Sequence, residues 1–212
     1  MGSLRAVRFS NESGVLIVTT ALGILCQYDE SAYAYRYVNG RWQRIWESEQ
    51  NDYSPAKYNP QHIKAVHVLQ SFRDGNLDAP VYVMSLGNSW GCTSTWHSVI
   101  YRVWLVSASG SKLLIDDSDL AWLRTGTYAI GSIVRGSTDA APVDVLVEFT
   151  KRSIDLGVHN REAIRHYLID GDRVRRIDPV ALSPRDFVDE WLTSDWEEIG
   201  PWSASLASHR RA

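Results

Sequence analysis

The apolar side chains of this chain fall in short runs, some continuous and some alternating with polar residues. Val15-Leu16-Ile17-Val18, Val81-Tyr82-Val83-Met84 and Val143-Asp144-Val145-Leu146-Val147 are the clearest. β-branched and aromatic residues at that spacing predict strands rather than helices. A tight-turn signal follows each run. Asn39-Gly40 separates residues 35–38 from 41–45, and Asp170-Gly171 separates 166–169 from 172–177. Both dipeptides suit two-residue hairpin turns, because each residue tolerates a positive φ. A longer turn, Ser107-Ala108-Ser109-Gly110, separates 101–106 from 112–115.

A further strand signal precedes each run, at 6–9, at 65–68 and more loosely at 129–134. The order is therefore strand A, strand B, a polar connection, strand C, a tight turn and strand D. Four elements in the same order three times over predict an internal repeat. After the third copy the pattern changes. Ser183-Pro184-Arg185-Asp186 reads as an N-cap, a first-turn proline and a capping acid. Phe187, Val188, Trp191 and Leu192 then fall at helical spacing. The expected organisation is a three-repeat antiparallel β domain over 4–178, a short helical extension over 183–198 and a tail over 199–212.

A four-strand antiparallel meander resembles a β-propeller blade. The resemblance rests on strand order, since the Trp-Asp dipeptide of the common propeller repeat does not occur. It implies a mainly β, propeller-like fold. Closed propellers use four or more blades, so three would leave open sheet edges that invite pairing. Two chains forming a ring, one chain belonging to a longer propeller, or closure on a threefold axis as in β-prism and β-trefoil lectins would each answer this. A homodimer through the open edges is one expectation.

Composition narrows the partners. The 212 residues are 44% hydrophobic and 22% charged, with a formal net charge of −3. Nucleic acid is excluded as the main partner, because phosphate binding needs a concentrated basic face. No run of 18 apolar residues occurs, so no transmembrane helix is expected. Residues 15–26, preceded by Arg5 and Arg8, imitate a secretory signal. They match the later segments 81–84 and 143–147, so they read as a strand. Met1-Gly2-Ser3 reads as a cloning scar, which leaves the compartment open. The aromatic, glycine-punctuated repeats lean toward an extracytoplasmic setting. Cys26 and Cys92 occupy similar places in the repeat, so a bridge between them and two free thiols are both open readings.

In a meander the B–C and D–A connections emerge at one end of each sheet. Here they are the long, polar ones, and function concentrates in such connections. The first B–C connection is read as including Gln27, Asp29 and Glu30, the second as 87–97 and the third as 150–162. Trp90, Trp96, Asp155, Asn160 and Arg161 are candidate ligand contacts. His97 and His159 are candidate general bases. Ser89 sits in Gly87-Asn88-Ser89-Trp90-Gly91, which matches a nucleophile elbow, but a strand pattern rather than a helix follows it. Asp116, Asp117 and Asp119 are hard oxygen ligands at loop spacing, suited to Ca²⁺. Nine Trp and ten Tyr supply rings with polar tips, which stack on sugars. The expected function is a ligand-binding module, with a glycan as the leading ligand class. One alternative is a calcium-dependent hydrolase of the lactonase or esterase type, similar in architecture to propeller lactonases. The other is a structural scaffold.

Overall fold

The computed structural model describes residues 4–12, 14–24, 27–48, 61–69, 80–89, 96–107, 109–122, 132–135, 143–153, 159–180 and 184–193. The alternating runs become strands, and the tight-turn signals set which strands pair. Strands β1 (Leu4–Glu12), β2 (Val15–Ile24), β3 (Gln27–Val38) and β4 (Arg41–Glu47) form the first sheet in that spatial order. The middle sheet orders β5 (Gln61–Val68), β6 (Val81–Ser89), β7 (Trp96–Ser107) and β8 (Gly110–Trp122) in the same way. The third sheet orders β9 (Ser132–Arg135), β10 (Val143–Ser153), β11 (His159–Asp170) and β12 (Arg173–Val180). Neighbouring strands are antiparallel throughout. Helix α1 (Pro184–Thr193) lies against β12.

The β3–β4 hairpin shows how local chemistry sets register. Asn39 and Gly40 hold φ of 51° and 78°, and Val38 pairs with Arg41. Two positive φ values in succession give the turn a twist that matches the flanking strands. Every later pair in the ladder follows from that closure, until the register slips between Ala34 and Tyr35.

The three sheets pack face to face, with the middle one covered on both sides. β6 records this directly, since every residue from 81 to 86 is buried. A strand with two dry faces reads as a continuous apolar run rather than an alternation. Its odd-numbered side, with Trp104 and Val106 of β7, joins the core shared with Val15, Ile17, Ala32, Ala34 and Trp46 of the first sheet. Trp46 and Trp104 meet edge to face there, with ring centres 4.9 Å apart. Its even-numbered side, with Val99, Tyr101 and Val103, joins the core shared with Val143, Val145, Val147, Tyr167 and Ile169 of the third sheet.

Two contacts fix the relative sense of the middle and third sheets. The Tyr82 hydroxyl, near the start of β6, donates to the Gly171 carbonyl in the β11–β12 turn at 3.0 Å. Lys112, just past the β7–β8 turn, pairs with Asp172 in the same β11–β12 turn at 2.8 Å. The C–D turns of both sheets therefore share one end of the molecule, and their B–C ends share the other.

Several polar segments expected as loops are strands. Gln27, Asp29 and Glu30 belong to β3, and Asp116, Asp117 and Asp119 belong to β8. Residues 150–153 extend β10, and 159–162 open β11. The physical reason is that an antiparallel ladder needs only backbone donors and acceptors. Polar side chains do not stop it, and cross-strand partners such as Arg102 and Asp116 support it.

Candidate functional site

The Ser, Trp, His, Asn and Arg candidates borne on strands lie at the B–C ends. Ser89 is the last residue of β6, and Trp96 and His97 are the first two of β7. Trp96 stands opposite Trp122 in the ladder, and His97 stands opposite Ala121. His159, Asn160 and Arg161 are the first three residues of β11, opposite Ser153, Arg152 and Lys151. Because the middle and third sheets run in the same sense, these two strand ends lie at the same end of the molecule. Trp90 and Asp155 lie outside the described residues, as do Cys26 and Cys92. The next described element after Ser89 is strand β7, so a helix of the kind a nucleophile elbow needs does not appear among the described residues.

The acidic positions are divided rather than gathered. Asp116 and Asp117 are consecutive in β8, so their side chains leave opposite faces. Asp116 accepts from Arg102 Nε at 2.7 Å on the side of the first sheet. Asp117 accepts from the Tyr167 hydroxyl at 2.7 Å on the side of the third sheet. Among the described residues, no three His, Cys, Asp or Glu side chains gather as a metal site.

The interface between the middle and third sheets holds a polar cluster inside an aliphatic core. Tyr101 is fully buried, and its hydroxyl lies 3.2 Å from that of Tyr167. Tyr167 passes its proton donor on to Asp117, whose other oxygen accepts from the Ser118 backbone amide at 2.8 Å. Burial pushes the Tyr167 hydroxyl pKa well above the ordinary tyrosine range. The bond from Tyr101 opposes this, while the bond to Asp117 and its charge add to it. Tyr167 is therefore held neutral as a donor, which suits an oriented hydrogen-bond chain rather than a proton acceptor. Tyr82 is shifted upward as well, first by burial and then by the charge of Asp170. In the neighbouring β11–β12 turn, Lys112 holds the exposed Asp172 carboxyl below its usual range.

Sequence reasoning assigned no role to Asn88. It is the penultimate residue of β6, beside Ser89, and only 3% exposed. Its amide donates to the Ser98 carbonyl at 3.5 Å, while its Oδ1 is buried without a partner among the described residues. It lies on the same face as Leu86 and Met84, toward the third sheet. The available signal was its phase: Asn88 continues the buried register of Tyr82, Met84 and Leu86 into the polar connection. Arg165, on the inner face of β11, is buried at the same interface.

No family model, curated protein or solved structure matches the chain. Among the described residues, no helix is long and apolar enough to cross a membrane.

Proposed function

We propose that this chain is a ligand-binding module whose three sheets are consecutive propeller-like blades. Its ligand docks at the B–C end, between the middle and third sheets. The ligand class is a glycan or another hydroxyl-rich molecule. The observation that carries this reading is Asn88, whose buried, unpartnered Oδ1 lies near the B–C end of β6. A buried acceptor left unpaired costs about 1–3 kcal/mol, so such groups normally meet a donor. A ligand hydroxyl is a donor of the right size and neutrality. Trp96 at the head of β7 adds a ring that can stack on the apolar face of a sugar. His97, His159, Asn160 and Arg161 supply further polar groups at the same end.

The test is a titration of ¹⁵N-labelled protein with a panel of mono- and oligosaccharides, read at the tryptophan indole and asparagine amide signals. The expected result is a saturable shift of the Asn88 side chain and the Trp96 indole. Trp96→Ala and Asn88→Ala would then weaken binding while leaving the far-UV spectrum unchanged. A panel that moves neither signal removes the glycan assignment. Binding that survives Asn88→Ala unchanged removes this site.

A further inference from the structure

We propose that the outer face of the first sheet docks on the outer face of the third sheet of a second copy, so that two chains close a ring of six sheets. This stands apart from the ligand reading, since it involves the two outermost faces rather than the B–C end.

One position in each C strand carries an aromatic ring. Tyr35, Trp104 and Tyr167 each lie three residues before the last residue of β3, β7 and β11. Trp104 packs on Trp46 of the preceding sheet, and Tyr167 packs on Tyr101 of the preceding sheet. Each is the aromatic knob through which a sheet meets the one before it. Tyr35 holds the same position in the first sheet, before which no other sheet occurs among the described residues. A slip in the C–D ladder directly before the aromatic also recurs, between Ala34 and Tyr35 and between Val103 and Trp104.

The surroundings of Tyr35 resemble an interface more than a wet surface. In β3 the small residues Ala32 and Ala34 point inward and are fully buried, which sends Tyr33, Tyr35 and Tyr37 outward. Leu16 and Val18 stand opposite Tyr35 and Tyr33 on that outer face. Tyr37 and Trp42 cross edge to face at 5.3 Å and remain 51% and 50% exposed. Aromatics out and alanines in reverses the usual order of a half-wet sheet.

The counterpart is the face of the third sheet that points away from the middle one. It is centred on Leu146, His166 and Leu168, with Arg173 and Arg175 exposed at its rim. Those arginines can stack on the π faces of the first sheet's outer tyrosines, where Glu47 is already paired with Arg44 at 2.8 Å. Four strands about 4.8 Å apart and about 30 Å long give a face of roughly 600 Å². Two such contacts in a closed dimer bury about 2,400 Å² in total, above the roughly 1,200–2,000 Å² of a standard stable interface. Because the contact is head to tail, a closed pair needs both faces of both chains.

Sedimentation of the purified chain over a concentration series should give a dimer. Tyr35→Glu and Leu168→Glu should each give monomers, since each damages both contacts. Tyr37→Glu and Arg175→Glu, at exposed positions, repeat the experiment with substitutions that leave the core intact. Mixing a first-sheet variant with a third-sheet variant should restore a heterodimer, weaker than the parent, through its one undamaged contact. A monomer at every concentration overturns the proposal. So does a dimer broken by the first-sheet variants but untouched by the third-sheet ones, which would pair the first sheet with itself. Chains larger than a dimer overturn the closure.

Discussion

Replacing Tyr167 by phenylalanine removes one oxygen from the buried cluster between the middle and third sheets and leaves the ring in place. That oxygen donates to Asp117 at 2.7 Å and lies 3.2 Å from the Tyr101 hydroxyl. A hydrogen bond to a charged acceptor contributes about 1.5–3 kcal/mol. Asp117 is half-buried, which favours the lower part of that range. The Tyr101 hydroxyl also loses a neighbour in a fully buried position, adding a desolvation cost of about 1 kcal/mol. The expected destabilisation is about 2–3 kcal/mol, well below the roughly 3–5 kcal/mol expected for truncating a whole buried aromatic. Urea unfolding monitored by tryptophan fluorescence reads it as a lower midpoint at unchanged slope.

The same residue predicts an alkaline limit. The pKa of Tyr167 is raised in the folded chain, so the folded state keeps a proton that the unfolded state releases. Its contribution is complete below the ordinary tyrosine pKa of about 10 and is lost as pH climbs from there toward the raised folded value. Stability should therefore fall by up to about 1.4 kcal/mol per pH unit from this group above pH 10. Tyr167→Phe should flatten that decline while lowering stability at neutral pH. A variant that loses less than about 0.5 kcal/mol at pH 7, or keeps the full alkaline slope, would refute the account of Tyr167 as a neutral, charge-assisted donor.

Trp104→Ala should cost about 3–5 kcal/mol, because the indole is almost wholly buried against Trp46 and the core cannot refill the space; thermal denaturation by near-UV circular dichroism reads this together with loss of the Trp–Trp signal. Asn39→Val should cost about 1–2 kcal/mol, because a β-branched side chain must be forced to a φ of 51°. Asn39→Gly should be close to neutral in the same urea titration, and equal effects of the two would show that backbone strain is not the cause.

The strand content and the hairpin turns were legible because each has a local cause. The Asn39-Gly40 turn needs positive φ at two positions, and its residues announce it. The alternation of β10 marks one buried face. Strand length was not legible, because polarity was read as the end of a strand. Asp116 and Asp117 look like a loop until Arg102 and Tyr167 stand across from them, and those partners are 14 and 50 residues away. Glu30 reads as part of a connection for the same reason, yet it is 4% exposed on the inner face of β3. The Asn88 site escaped notice because its oxygen matters only once burial removes water from it.

How many faces of a sheet are covered can be read more finely than its strands. The unbroken buried run of β6 corresponds to a sheet with a neighbour on each side. β3 alternates just as regularly as β2, yet its outward positions are Tyr33, Tyr35 and Tyr37 rather than charged residues. Burying a Tyr ring gains about 25 cal/mol per Å² of apolar area, and leaving Tyr33 and Tyr35 half-buried and Tyr37 exposed forgoes part of that gain. Rings in a row also make a contiguous apolar patch, which monomers rarely carry without an interaction to cover it. The pattern of β3 thus lies between that of a central strand and that of a wet one. The proposed assembly gives it the same cause as in β7 and β11, where a C strand carries an aromatic knob for the sheet before it. Under the proposed ring closure a second copy supplies that preceding sheet, which is why Tyr35, rather than any loop residue, is the position where assembly is best tested.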